Sequence, residues 1–288
     1  MTAVFKREFK SYFNNMLGYT IIAGTLLLIA IYIYSTNFAG GYPNIEYSLY
    51  SASGLLFTIV IPLLTMKSFA EERRQKTDQL LLTSPLSVPQ IVVGKFFGTM
   101  AVFGIAMLII MIYPPILNMM GDVNFRSGYS AIFGMFFMSC ALAAIGIFIS
   151  SLTENQIISA VATLCTMLLL SSLDLLIAYV PSAAKVNFFI WTVVAIAIVI
   201  MVLALTKSVV TASVFAVLTE GTLIALFKLS PTTLEGTFGK FLGCFNIFSR
   251  MQNFIYGMFD FTTLVYYLTV AALFLFFTVQ SVEKRRWS

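Results

Sequence analysis

The sequence offers few side chains that could do chemistry, and they fall into two groups. The first is a run of charges at residues 71–78, which begins Glu-Glu-Arg-Arg. The second is a pair of isolated carboxylates, Asp174 and Glu220, each inside a long apolar run. Histidine is absent, which removes the commonest proton-shuttling base and the commonest metal ligand. The three cysteines have no paired spacing. We therefore predict no catalytic, cofactor-binding or metal-binding residue. We expect the charged segment to bind another protein instead.

The charge run leads into a segment whose pattern predicts a short helix with exposed leucines at 80–82. Thr77 can cap this helix, and Pro85 disfavours helical geometry at the residue before it. Ser87 and Gln90 then form a capping-box pattern that begins the next helix. A capped helix that presents leucines to water is typical of a segment that binds a groove on another protein. A loop lying on the lipid surface is the alternative.

The composition places the rest of the chain in a membrane. Of the 288 residues, 59% are hydrophobic and 10% are charged, whereas soluble domains are about one quarter charged. The mean hydropathy is +0.94. Continuous apolar runs of about 20 residues select spanning helices over a closed barrel. The net charge is +5, and the charged residues lie mostly at the ends of these runs. The charge therefore indicates membrane topology, and nucleic-acid binding is not expected.

Eight apolar runs are long enough to cross a membrane as helices, at residues 17–36, 48–66, 90–113, 129–150, 157–179, 188–206, 209–227 and 261–282. We predict an all-α, polytopic helical membrane protein in which residues 1–288 form a single permease domain. Residues 67–89 are expected to be a cytoplasmic segment between spans two and three. Residues 228–260 are expected to form short helices on the outer interface.

Residues 1–16 predict an amphipathic helix that lies in the membrane interface, because apolar residues recur at helical spacing. These residues are Phe5, Phe9, Tyr12, Phe13 and Met16.

Topology follows from the distribution of positive charge. Of the 17 lysines and arginines, twelve fall on the side of the termini and five on the opposite side. The positive-inside rule then places both termini and the 67–89 segment in the cytoplasm of a multi-pass protein of the cell membrane.

The order of these elements resembles the permease subunit of type-2 ABC exporters, and within them the gliding-motility-like and copper-nitrous-oxide-like permeases. The resemblance covers nearly the whole chain and rests on EERRQKTDQLLLTSPLSVPQIVVGK, on LAAIGIFISSLTENQ and on the C-terminal apolar run ending in EKRRW. In that family the first of these segments is the coupling helix received by the nucleotide-binding subunit. The implied interface residues are Glu71, Glu72, Arg73, Arg74, Leu80, Leu81, Leu82, Thr83 and Pro85, and Lys95 closes the motif. The chain departs from the family at Gln75-Lys76, where many relatives have a glycine after a residue in this position. Its hairpin of the sixth and seventh spans goes beyond the six-span core common in the wider family.

The resemblance also implies partners. The sequence contains no G-x-x-x-x-G-K-[ST] phosphate loop, so ATP and magnesium are expected in a separate ABC ATPase subunit. A second copy or a related permease would complete the membrane core within the lipid bilayer. The implied function is to couple ATP hydrolysis to export of a substrate, or to transmission of force across the membrane.

Two other functions are alternatives. A polytopic membrane enzyme would need clustered acids or histidines at one membrane face, and an ion-coupled secondary transporter should show internal repeats. A carboxylate within hydrocarbon is a functional-site candidate by default. Alternatively, Asp174 reaches the headgroups or the neighbouring Ser171 and Ser172, and Glu220 is protonated or hydrogen-bonded at a helix contact.

Overall fold

The computed structural model describes residues 1–77, 86–119, 121–229 and 231–286. Within those ranges every regular element is a helix. In chain order the α-helices are α1 (Thr2–Asn14), α2 (Leu17–Ile33), α3 (Glu46–Thr65), α4 (Ala70–Arg74), α5 (Val88–Ile110), α6 (Tyr113–Asn118), α7 (Phe125–Leu152), α8 (Gln156–Ser171), α9 (Leu173–Tyr179), α10 (Ala184–Thr206), α11 (Val209–Leu229), α12 (Thr237–Cys244), α13 (Gln252–Ile255) and α14 (Phe261–Arg286). A π-helical turn, Tyr34–Phe38, extends α2, and 3-10 turns occur at Pro231–Leu234 and Ser249–Met251.

The predicted polytopic helical class is confirmed. Seven helices in the described ranges are long and apolar enough to cross a membrane, and α8 with α9 makes an eighth if that bent pair counts as one span. A break at Ser172 interrupts the predicted fifth span. The fourth span is longer than predicted because Asn124 caps α7, with its Oδ1 atom accepting hydrogen bonds from the backbone N–H groups of Arg126 (3.2 Å) and Ser127 (3.4 Å).

The described chain divides into two compact units, residues 1–171 with 247–288, and residues 172–246. In the first unit α7 is the central helix and packs against α3, α5, α8 and α14. Small residues allow these close approaches. A Cβ atom added at Gly134 would lie 2.6 Å from Cγ of the buried Phe254, and one added at Gly146 would lie 3.0 Å from Cβ of Thr65. The core of this unit therefore depends on backbone contact as well as on apolar side chains.

The second unit is built around a hairpin of α10 and α11, which turns at Lys207 in a left-handed conformation (φ 52°). Asn187 fixes the entry to α10, because its side chain donates to the carbonyl of Pro181 at 3.0 Å and accepts from the N–H of Phe238 at 3.1 Å. The short helices predicted for residues 228–260 are present as the 3-10 turns, α12 and α13. Their position at a membrane surface stays a prediction.

Candidate functional site

The N-terminal helix α1 packs directly on α5 through two glycines one helical turn apart. A Cβ atom added at Gly94 would lie 3.0 Å from Cβ of Val4, and one added at Gly98 would lie 2.9 Å from Cβ of Glu8. Val4 and Glu8 are likewise one turn apart, so the two helices meet along matching faces. Larger residues at either glycine would push α1 away from α5. The predicted amphipathic helix is therefore present, but its protein-facing side includes Glu8 as well as apolar residues.

Lys95 lies at the centre of this contact and is 1% exposed. Its Nζ atom is 3.2 Å from Oε2 of Glu8 on α1 and 3.0 Å from Oε1 of Glu72 on α4. It also donates to the carbonyl of Ser68 at 2.6 Å and lies 5.1 Å from the centre of the Phe69 ring. A buried ammonium group is tolerated only when it is paired and hydrogen-bonded, and this one is both. Lys95 therefore joins three elements: the N-terminal helix, the charge run and the third span.

Two carboxylates, Glu8 and Glu72, pair with this one buried lysine, so the paired negative charges outnumber the buried positive charge. Burial raises the pKa of Glu8, and the neighbouring Lys95 acts in the opposite direction. Arg7 contributes a second cation at 3.5 Å from Glu72, although its side chain is 61% exposed and the pair is correspondingly weak. We refer to Glu8, Glu72 and Lys95 as the junction cluster.

A polar cavity of about 200 Å³ adjoins the junction cluster. Its walls hold three acidic side chains and three basic ones, namely Glu8, Glu71, Glu72, Arg7, Lys67 and Lys95. Tyr12 closes one side, where its hydroxyl donates to the carbonyl of Leu64 at 2.6 Å, and burial raises the pKa of this phenol well above its usual value. The phenol is therefore a fixed hydrogen-bond donor between α1 and the end of α3.

The four charges of the 71–74 run point in different directions. Glu72 faces inward to the junction cluster, and Arg73 is buried with its Nη1 atom 3.5 Å from the carbonyl of Thr153. Glu71 pairs with Lys67 at 3.5 Å, and Arg74 is exposed. The sequence pattern alone treats these four residues as one group. In the structure, Glu72 and Arg73 bind other parts of this chain and hold α4 in place. Glu71 is partly buried, and Arg74 is exposed to the outside.

The backbone around α4 is also anchored. The N–H groups of Phe69 and Ala70 both donate to the Ser150 hydroxyl at 3.2 Å, which ties the start of α4 to α7. At the other end Lys76 adopts a left-handed conformation (φ 56°), which glycine adopts more easily than lysine. The departure from the family pattern at Gln75-Lys76 therefore falls on a residue with unusual backbone geometry.

The leucines of the predicted short helix, Leu80, Leu81 and Leu82, lie outside the described residues, as do Thr83 and Pro85. Their role stays a prediction. The following helix begins as predicted, with Ser87 in extended geometry at the N-cap of α5 and its N–H donating to Oε1 of Gln90 at 3.4 Å.

The two isolated carboxylates lie on different helices of the second unit, Asp174 on α9 and Glu220 on α11. Asp174 is exposed and accepts a short hydrogen bond from the side chain of Asn246. One carboxylate oxygen of Glu220 is buried and has no hydrogen-bond partner within the described residues. Neither residue joins the junction cluster, and a transport role for either stays a prediction.

Sequence reasoning missed Glu8 and gave Lys95 no partner. The signal for Lys95 was present, since it is a lone charge near the start of an apolar run and lies between glycines at 94 and 98. A charge in that setting requires a partner, and the run before it ends in Glu-Glu. Glu8 is the only acidic residue of α1, and it lies one helical turn from the apolar Val4, but neither feature identifies its partner.

Comparison with known proteins gives one family. A family model described as "ABC-2 family transporter protein" matches residues 5–227, which includes all three residues of the junction cluster. A comparison with curated proteins gave no match. The matched region covers more than three quarters of the chain, and the helical architecture agrees with it. The chain therefore belongs to the ABC-2 transporter family and is a multi-pass membrane permease subunit of an ABC transporter.

Proposed function

We propose that this permease couples ATP hydrolysis by a separate ABC ATPase subunit to export of a substrate or to transmission of force across the membrane. The observation that supports this most directly is the junction cluster. Glu72 belongs to the run that the resemblance assigns to the ATPase interface, and through Lys95 it is connected to a spanning helix and to α1. Within the family we infer the gliding-motility-like and copper-nitrous-oxide-like subfamily, from the segment between Glu71 and Lys95.

In the proposed mechanism, movement of the ATPase reaches the spanning helices through the junction cluster. The ATPase binds residues 77–85 and the outward-facing Arg74, and ATP with magnesium is held in the ATPase. Closure of two ATPase subunits moves the docked segments of two permease chains, which are copies of this chain or this chain and a related permease. Because Glu72 and Glu8 both pair with the same buried lysine, displacement of α4 acts on α5 and α1 together. The spans then reorient as a packed group.

Purification with the partner tests the proposal. We expect the tagged chain, extracted from host membranes in mild detergent, to elute with a subunit that hydrolyses ATP only when magnesium is present. Hydrolysis should disappear when the phosphate-loop lysine of that subunit is substituted, while the complex stays intact. If the folded chain elutes without any ATP-hydrolysing subunit at low salt, the proposal fails and the ion-coupled carrier, which needs no such subunit, becomes the better hypothesis.

Topology is a second part of the proposal and has its own test. In a variant lacking native cysteines, single cysteines at Ser288 and at Gln75 are expected to resist an impermeant thiol reagent added to intact cells, because the excess of positive charge places both in the cytoplasm. Both should react once the membrane is permeabilised. Labelling of either position in sealed cells would contradict a cytoplasmic location of the termini and of the charge run.

A further inference from the structure

Among the described residues, the first unit contains an apolar groove with a volume of about 620 Å³. Helices α5 and α7 form its walls, and the first turn of α1 closes one end. Thr2 is the only residue with a polar side chain among those that line it. The groove is separate from the junction cluster, and its interpretation does not depend on the proposed coupling to ATP.

The groove opens on the outer, apolar surface of the spanning helices. Phe97 and Leu108 on α5 and Phe133 on α7 line the groove, and all three are exposed large apolar side chains. Ala101 and Gly104 are small, so they leave space at the bottom of the groove. A Cβ atom added at Gly104 would have only one neighbour within 4 Å, Cε2 of Phe136 at 3.8 Å. The groove is therefore open to whatever surrounds the spanning helices, which is hydrocarbon.

The groove is long and apolar. From Phe97 to Met111 it follows α5 for about 21 Å, at a helical rise of about 1.5 Å per residue. This length and the apolar lining suit an extended hydrocarbon chain.

The charge at the closed end favours one kind of headgroup. Lys6 follows Thr2 by one turn on the same face of α1, and it is exposed. Within the described residues Lys6 forms no ion pair, whereas Arg7 and Glu8 on the same helix are paired. A cation at the end of an apolar groove complements an anionic lipid whose acyl chain lies along the groove.

We propose that this groove is a binding site for an acyl chain of an anionic phospholipid, with Lys6 contacting the phosphate-bearing headgroup. The bound chain would pack against α1, α5 and α7 at once. It would thereby fill a space that the side chains leave open, and it would hold the first turn of α1 against the spanning helices.

For the test, the full chain is reconstituted into vesicles of equal parts phosphatidylglycerol and phosphatidylcholine. It is then extracted again in mild detergent, and the bound lipid is identified by native mass spectrometry. We expect the wild type to retain a phosphatidylglycerol molecule. Gly104→Phe fills the groove, so the retained fraction should fall by about tenfold or more. Gly24→Phe is the matched control, since Gly24 on α2 also has open space around it and should leave retention unchanged. Ala101→Phe provides a second groove variant if Gly104→Phe fails to fold.

The headgroup part is tested by Lys6→Gln, which should leave a lipid bound but abolish the preference for phosphatidylglycerol over phosphatidylcholine. Retention by Gly104→Phe and Ala101→Phe equal to that of Gly24→Phe would overturn the proposal. So would efficient disulfide cross-linking of Leu108→Cys between two copies in the vesicles, because that result would show that a second chain covers the groove.

Discussion

Replacing Lys95 with methionine is expected to lower the free energy of unfolding by about 3–5 kcal/mol, a large share of the about 5–15 kcal/mol that stabilises a typical domain. Methionine fills similar space, so the loss arises from charge. Glu8 and Glu72 would remain in the junction cluster without the buried cation that both contact. The midpoint of thermal unfolding, followed by size exclusion of the detergent-solubilised chain, measures this loss.

The pH dependence of the same variant has a defined sign. Burial raises the pKa of Glu8 and Lys95 opposes that shift, so removing Lys95 raises the pKa further. A carboxyl group with a raised pKa in the folded state binds its proton more tightly there than in the unfolded chain. Stability of the variant should therefore increase as the pH falls from neutral towards about 4.3, the ordinary pKa of glutamate.

Two further variants separate charge from packing. Adding Glu8→Gln and Glu72→Gln to Lys95→Met should restore much of the lost stability, because no buried charge then remains unpaired. Lys67→Met is the matched control. Lys67 pairs with Glu71 at 3.5 Å, but both side chains are partly exposed, so the effect should be below about 1 kcal/mol. If Lys95→Met and Lys67→Met unfold at the same temperature, the junction cluster does not stabilise the fold.

The double change Leu81→Asp with Leu82→Asp is expected to release the ATPase while the permease remains inserted and folded. Burying one leucine contributes about 1.5–3 kcal/mol, so losing two should weaken binding of the ATPase by about a hundredfold or more. The ratio of ATPase to permease after co-purification measures this effect, and stimulation of ATP hydrolysis by the permease should fall with it.

Arg74→Ala is the comparison for this experiment. Arg74 is exposed, so its removal should cause a smaller loss of ATPase that depends on salt concentration. Should the double aspartate variant keep its ATPase at the wild-type ratio, residues 77–85 are not the coupling element. A loop on the lipid surface would then describe that segment better.

Much of the fold could be predicted from the sequence, because membrane spans depend on long apolar runs that are visible locally. The ends of spans depend on single side chains, which explains why the Asn124 cap extends α7 and why the break at Ser172 was not anticipated. The start of α5 was predicted correctly from Ser87 and Gln90, since a capping box is a local pattern.

The candidate site was less predictable, because its main contacts join distant parts of the chain. The charge run was recognised, yet neither the buried position of Arg73 nor the shared use of Lys95 can be read from spacing. Such pairings depend on which helices pack together, and here the glycines at 94 and 98 determine that. A pattern of small residues predicts a close helix contact without identifying the partner helix.

The separation of 87 residues between Glu8 and Lys95 also bears on how the chain is made. At a synthesis rate of about 5–20 residues per second, about 4–17 s pass between the appearance of the acid and that of the lysine. Glu72 too precedes Lys95, so both acids have been synthesised when the lysine-bearing helix enters the bilayer. Lys95 lies near the start of its span, where a lysine inserted without a counter-charge would have to extend towards the membrane interface. The order of these residues along the chain thus supplies the counter-charges before they are needed, and it makes docking of the N-terminal helix a step that completes only after the third span has been inserted.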